Sequence, residues 1–234
     1  MQELFERLTL HDFHDDAFRN IITIRETQDL YDDLSGEPKD WDAAIEAEMA
    51  VKPPYTQPPI IGRPFEEAIH HNAIEFPFKN WMESRYSDGR FGVWYGAATL
   101  ETTVHETVHH WCRMLEAAEE FLHHDTPIVG ERRVFLVRCD AALLDFRARI
   151  AAFPSLVAPN DYRFTQEVGR RVHHEGHPGI LTRSAHCEGE VFAIFRQEVL
   201  SNARNYCDLT YRLDTGSGRV AVERQLGTTM MVIG

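Results

Sequence analysis

The chain is short of cysteine: four in 234 residues, Cys112, Cys139, Cys187 and Cys207, with no CxxC pair. That spacing excludes a zinc ribbon and argues against a disulfide framework, so the thiols are expected to be reduced. Basic side chains are outnumbered, 24 against 37 acidic ones, for a formal charge of −13. Such an excess disfavours nucleic acid and anionic membranes, whose binding needs a basic face. No apolar run reaches bilayer length, and the first residues, MQELFERLTLHDFHDD, lack the apolar core of a secretion signal. A cytoplasmic protein is expected. Repeats and low-complexity tracts are absent too, which excludes solenoids and fibrous arrays.

What remains is ordinary for a soluble globular protein, with 43% hydrophobic and 26% charged residues. Residues 1–58 read as a helical N-terminal extension closed by a proline-rich linker, and residues 59–234 as the main domain. Within the extension, Ala17 to Leu34 carries apolar residues at mixed helical spacing, and Asp40 to Val51 reads as a second helix. Five prolines in residues 52–64 break any helix there.

In the main domain, residues 91–96 and 133–139 read as strands. A long helix is expected from Thr99, its N-cap, to about His124. A second helix over 162–174 should stop at Gly176. Short strands are expected at 180–182 and 190–195, and a hairpin joins 209–213 to 219–223. Strands and helices do not alternate regularly, so the expected class is α+β.

Two patterns compete for the long helix. His105-Glu106-Thr107-Val108-His109 matches HExxH, in which two histidines one turn apart hold zinc and the glutamate acts as general base. Cys112 and Leu115 occupy the positions where the glycine and third histidine of one large zinc-protease group would follow. With 13 histidines in the chain, random order produces the pattern about 0.07 times per chain, which leaves room for coincidence. The bland alternative is a core-facing helix with Glu106 and His110 paired at i, i+4. Zinc-dependent hydrolysis is therefore the second reading.

The first reading uses the same glutamate without the histidines. Arg85 precedes the aromatic run that ends at Tyr95 by ten residues, and Tyr95 precedes Glu106 by eleven. Downstream, Ser184 precedes the apolar run Val191 to Phe195. These two blocks, in this order, resemble the RES-domain toxin family over roughly residues 60–200. The resemblance implies an ADP-ribosyltransferase-like mixed β core with surrounding helices, and an enzyme that consumes NAD. It also implies a cognate antitoxin partner; a homodimer is compatible with it. NAD is the substrate, and no resident cofactor or metal is implied. Arg85, Glu106 and Ser184 are the expected catalytic residues, with Arg63, Arg85 and Tyr95 binding NAD. Arg63 is chosen over Arg25 as the family's early arginine.

Their chemistry agrees with this. Breaking the nicotinamide–ribose bond builds positive charge on the sugar, which a carboxylate such as Glu106 can stabilise. A guanidinium such as Arg85 matches a pyrophosphate through paired hydrogen bonds. The Tyr95 ring can flank a base, and the Ser184 hydroxyl can orient the substrate. Whether water, phosphate or a protein side chain accepts the ADP-ribosyl group is left open by these residues.

Overall fold

The structure is a computed structural model that describes residues 1–22, 73–117 and 127–234. Its centre is an eight-stranded sheet. The strands are β1 (Thr9–Ile22), β4 (Trp94–Ala97), β7 (Glu190–Ile194), β6 (Gly179–Arg183), β5 (Ile128–Asp145), β8 (Leu200–Asp214), β9 (Arg219–Gln225) and β10 (Thr228–Ile233), in that spatial order. A small hairpin, β2 (Glu83–Ser84) and β3 (Ser87–Asp88), stands apart from it. Among the described residues the α-helices are a single turn α1 (Gln2–Phe5), α2 at 73–79, α3 (Leu100–Ala117) and α4 (Arg163–His174). The α+β class expected from the sequence is the one observed. Among the described residues no helix is long and apolar enough to cross a membrane.

The sheet closes on itself. β5 pairs with β1 along fourteen residues, from Thr9↔Asp145 to Ile22↔Arg132. On its other edge β5 pairs first with β8 and then, at Leu144 and Asp145, with β6. Through β6, β7 and β4 the ring returns to β1, leaving β8, β9 and β10 as a flap that branches from β5. The β1–β4 junction is the thinnest, a single pair, Phe18↔Ala97.

β1 corrects the sequence reading. Ala17 to Ile22 was expected to begin a helix, and it is strand. The reason is double-sided burial. Phe13, Ala17 and Ile21 join one core cluster, while Phe18 between them packs into another. A strand covered on both faces loses its alternation of apolar and polar residues, and the mixture imitates helical spacing. Pairing with β5 then overrides local preference. The segment preceding the proline tract is thus not wholly a helical appendage, because its first 22 residues build the sheet. The rest of that expected helix, the expected helix at Asp40–Val51, Arg25 and Arg63 lie outside the described residues.

Other expectations hold among the described residues, and the expected end of the long helix near His124 lies outside them. The α3 helix starts where Thr99 caps it, its Oγ1 accepting the Thr102 N–H at 3.1 Å. Its apolar stripe of Val104, Val108, Trp111 and Leu115 packs on Leu209, Tyr211, Val220 and Val222 of the flap. A helix with one face on that sheet must turn its opposite face elsewhere. Thr103, Glu106, Thr107 and His110 occupy it, spaced by three and four residues, and they look into a cavity. The α4 helix ends near Glu175, and Gly176 follows with φ +80, the left-handed stop that glycine allows. Its buried Val168 and Val172 pack with Tyr86, Phe91 and Phe146 in a separate cluster. Gly169 lets α4 approach the hairpin closely, since a Cβ there would lie 1.9 Å from the Tyr86 carbonyl oxygen.

Candidate active site

The cavity measures about 370 Å³, within the usual range for small-molecule sites. It opens beside the thin β1–β4 junction. Phe18, Arg19 and Asn20 come from β1, Tyr95, Gly96 and Ala97 from β4, and Glu106 and His110 from α3. Arg85 enters from the β2–β3 turn.

Glu106 is held at one oxygen. Its Oε1 accepts the Ser184 hydroxyl and, at 3.3 Å, the Ala185 N–H. The Ser184 oxygen in turn accepts the N–H groups of His186 and Cys187, at 3.0 and 3.2 Å. This is a tight turn after β6, closed by the Ser184 N–H on the Gly189 carbonyl at 2.7 Å. Ser184 therefore stands behind Glu106 and fixes its orientation. Ser184 is buried, and Ala185 beside it contributes to the cavity wall. The Ser184 hydroxyl, expected from the sequence to orient substrate, bonds the Glu106 carboxylate in this structure.

The other carboxylate oxygen faces His186, whose Nε2 lies 3.8 Å from Oε2. That nitrogen is buried and finds no hydrogen-bond partner among the described residues. Burial outweighs the pull of Glu106 and lowers the His186 pKa to about 4, so the ring is neutral at pH 7. His109 stacks on it, ring centroids 3.8 Å apart. Burial, and then Arg113, also lower the His109 pKa.

Arg85 is pinned from two sides. Its Nη1 donates to the Ala158 carbonyl at 2.7 Å, and its guanidinium lies over the Tyr162 ring at 4.7 Å. Its Nη2 is buried without a hydrogen-bond partner among the described residues. A buried donor left open is costly unless a ligand accepts it. Tyr95 supports the same turn, its hydroxyl lying 2.9 Å from Ser84 Oγ and accepting the Tyr86 N–H at 2.9 Å. Burial pushes the Tyr95 phenol up to about 12, so it stays protonated.

The sequence reading thus brings Arg85, Tyr95 and Glu106 to one cavity, with Ser184 directly behind. It missed Arg19. This side chain donates from Nη1 to the Tyr95 carbonyl at 2.7 Å and lies over the Trp94 ring at 5.5 Å. Burial lowers its pKa to about 10, and its Nε has no hydrogen-bond partner among the described residues. A lone arginine in a segment that reads as helix carries no sequence signal. Only the pairing of β1 with β5 reveals it.

For the HExxH reading, the relevant placements are those of Glu106 and His109. Glu106 turns to Ser184, and His109 to His186, which lies outside the motif. Among the described residues no group of three or more histidine, cysteine, aspartate or glutamate side chains is arranged to hold a metal ion.

Residues 61–214 match the sequence profile of the RES domain. The chain belongs to the RES domain family. Among solved structures, the RES chain is similar to one in a crystal structure of the M. tuberculosis MbcT-MbcA toxin-antitoxin complex. The identity is 15%, 92% of each chain is covered, and the TM-score is 0.48. No curated protein matches it. The profile spans Arg85, Tyr95, Glu106 and Ser184, the residues on which the resemblance was first seen.

Proposed function

We propose that this RES protein is a toxin-like enzyme that cleaves the nicotinamide–ribose bond of NAD and is neutralised by a cognate antitoxin. The observation that carries the reading is one cavity holding two unlike charges. Arg85 presents a buried, unsatisfied guanidinium nitrogen, and Glu106 presents a carboxylate oriented by Ser184. NAD has matching parts, an anionic pyrophosphate and a ribose that turns cationic as its bond to nicotinamide breaks. A guanidinium binds the first in the ground state. A preorganised carboxylate stabilises the second only as charge develops, which is what accelerates the step. Arg19 and Tyr95 also line the cavity, a second arginine and an aromatic residue beside the first pair.

Family membership supports the toxin and its antitoxin. The test is expression of the full chain in a bacterial host with and without a neighbouring candidate partner. Cellular NAD should fall and growth should arrest without the partner, and Glu106→Gln should abolish both effects. Normal growth and NAD with abundant soluble protein would overturn the reading.

A further inference from the structure

Cleavage of NAD needs an acceptor, and the cavity contains a group suited to preparing one. His110 lies one helical turn beyond Glu106 on α3, and both line the cavity. Residues at this spacing stand about 5–6 Å apart at Cβ. His110 is the only histidine in the cavity wall among the described residues. Unlike its neighbours it is committed to nothing: its ring makes no side-chain hydrogen bond to the described residues. His109 and His186 are stacked on each other, whereas His110 meets both only edge-on, at 5.7 and 6.3 Å between centroids. It is also solvent-exposed, so that a proton can pass to water.

We infer that His110 is the general base that activates water, making this protein an NAD hydrolase. The inference rests on the NAD reading of the cavity. In the step, the imidazole takes one proton from water while the water oxygen bonds to the ribose anomeric carbon. The bond from that carbon to the pyridinium nitrogen breaks, and its electron pair returns to the ring. Nicotinamide leaves neutral, ADP-ribose is the other product, and His110 releases its proton to solvent. Glu106 is not free for this task. One of its oxygens is held by Ser184 and Ala185, and its charge is needed opposite the cationic ribose.

The surroundings keep His110 in its basic form. The charged or titratable groups facing it are Glu106, His109 and Arg113 from α3, Arg85 from the hairpin and His186 from the β6–β7 turn. Partial burial lowers the His110 pKa despite the opposing pull of Glu106. A base must be unprotonated to act, so kcat should rise with pH through that lowered value and then level off.

The test compares wild type with His110→Gln and His110→Asn, as full-length protein, for NAD loss and products. Both variants should lose about 100-fold in kcat, with KM for NAD within about threefold, and should lose the acid limb of the pH profile. Azide supplies the discriminating arm, because it attacks without giving up a proton. Azide-adduct formation should be nearly unchanged in the variants while hydrolysis falls. A general loss of structure would lower both alike, and that result overturns the inference. So would hydrolysis within threefold of wild type, or wild-type NAD loss that requires inorganic phosphate. If wild type and Glu106→Gln alike leave NAD intact, the NAD reading itself fails and this role with it.

Discussion

The Ser184 hydroxyl donates to Glu106 while its oxygen accepts two backbone N–H groups, from His186 and Cys187. One small side chain thus closes a turn and aims a carboxylate. Ser184→Ala should leave both N–H groups short of an acceptor and free Glu106 to rotate. A stability loss of about 1–3 kcal/mol is expected by denaturant titration. The fall in kcat should be larger than that stability change would produce at working temperature, because the folded variant still misorients Glu106.

Glu106→Gln keeps the shape of the side chain and removes its charge. With the proposed role, kcat for NAD cleavage falls on the order of 100-fold or more, and KM changes little. A variant as active as wild type in steady-state NAD assays would exclude electrostatic stabilisation by this residue.

Arg85→Ala should raise KM for NAD more than it lowers kcat, since a pyrophosphate contact exists before the reaction begins. Arg85→Lys should not restore it. A lysine ammonium cannot reach the Ala158 carbonyl, lie flat over Tyr162 and still present a second donor. Binding of NAD measured calorimetrically separates these outcomes from kinetic ones.

The HExxH pattern makes an opposite forecast that is cheap to check. Purified protein is expected to carry less than stoichiometric zinc and to keep its activity in chelator. His109→Ala should retain most NAD cleavage, losing only the support its ring gives His186. A folded but dead His109→Ala protein, or one tight equivalent of zinc by elemental analysis, would favour the metal reading.

Gly169→Ala tests the seating of Arg85 from a distance. Alanine is the better helix former by about 1 kcal/mol, so a surface position would gain stability. Here the added methyl would lie 1.9 Å from the Tyr86 carbonyl oxygen and 2.7 Å from its carbon. The hairpin must retreat, and a net destabilisation of about 1–3 kcal/mol is expected in thermal melts. Because Tyr86 adjoins Arg85, KM for NAD should rise as well.

Much of this site was legible because its parts are local. Thr99 capping α3, the short strands around Tyr95 and Phe192, and the glycine stop after α4 each depend on a few neighbouring residues. The order Arg85, Tyr95, Glu106, Ser184 added a long-range constraint that no single residue supplies. β1 was not legible. Its apolar residues serve two cores, and its identity as a strand comes from a partner more than a hundred residues away. Arg19 was lost with it. The Ser184 contact was hidden for a related reason, since serine spacing says nothing about which way a hydroxyl turns. β10, rich in threonine and methionine, offered no alternation strong enough to extend the expected hairpin into a third strand.

The single residue pair that joins β1 to β4 makes the closed sheet compliant along one line. Amides on β5, laddered on both edges, should exchange with deuterated solvent only on global unfolding. Those flanking Phe18 and Ala97 should exchange through small local openings. Cavity-lining residues stand on both sides of that line, so a molecule bound there would bridge it. Occupancy would be recorded in the backbone as slowed deuterium uptake at the junction, with β5 left unaltered. The proposed catalytic pocket and the most thinly paired junction of the sheet share Phe18 and Ala97.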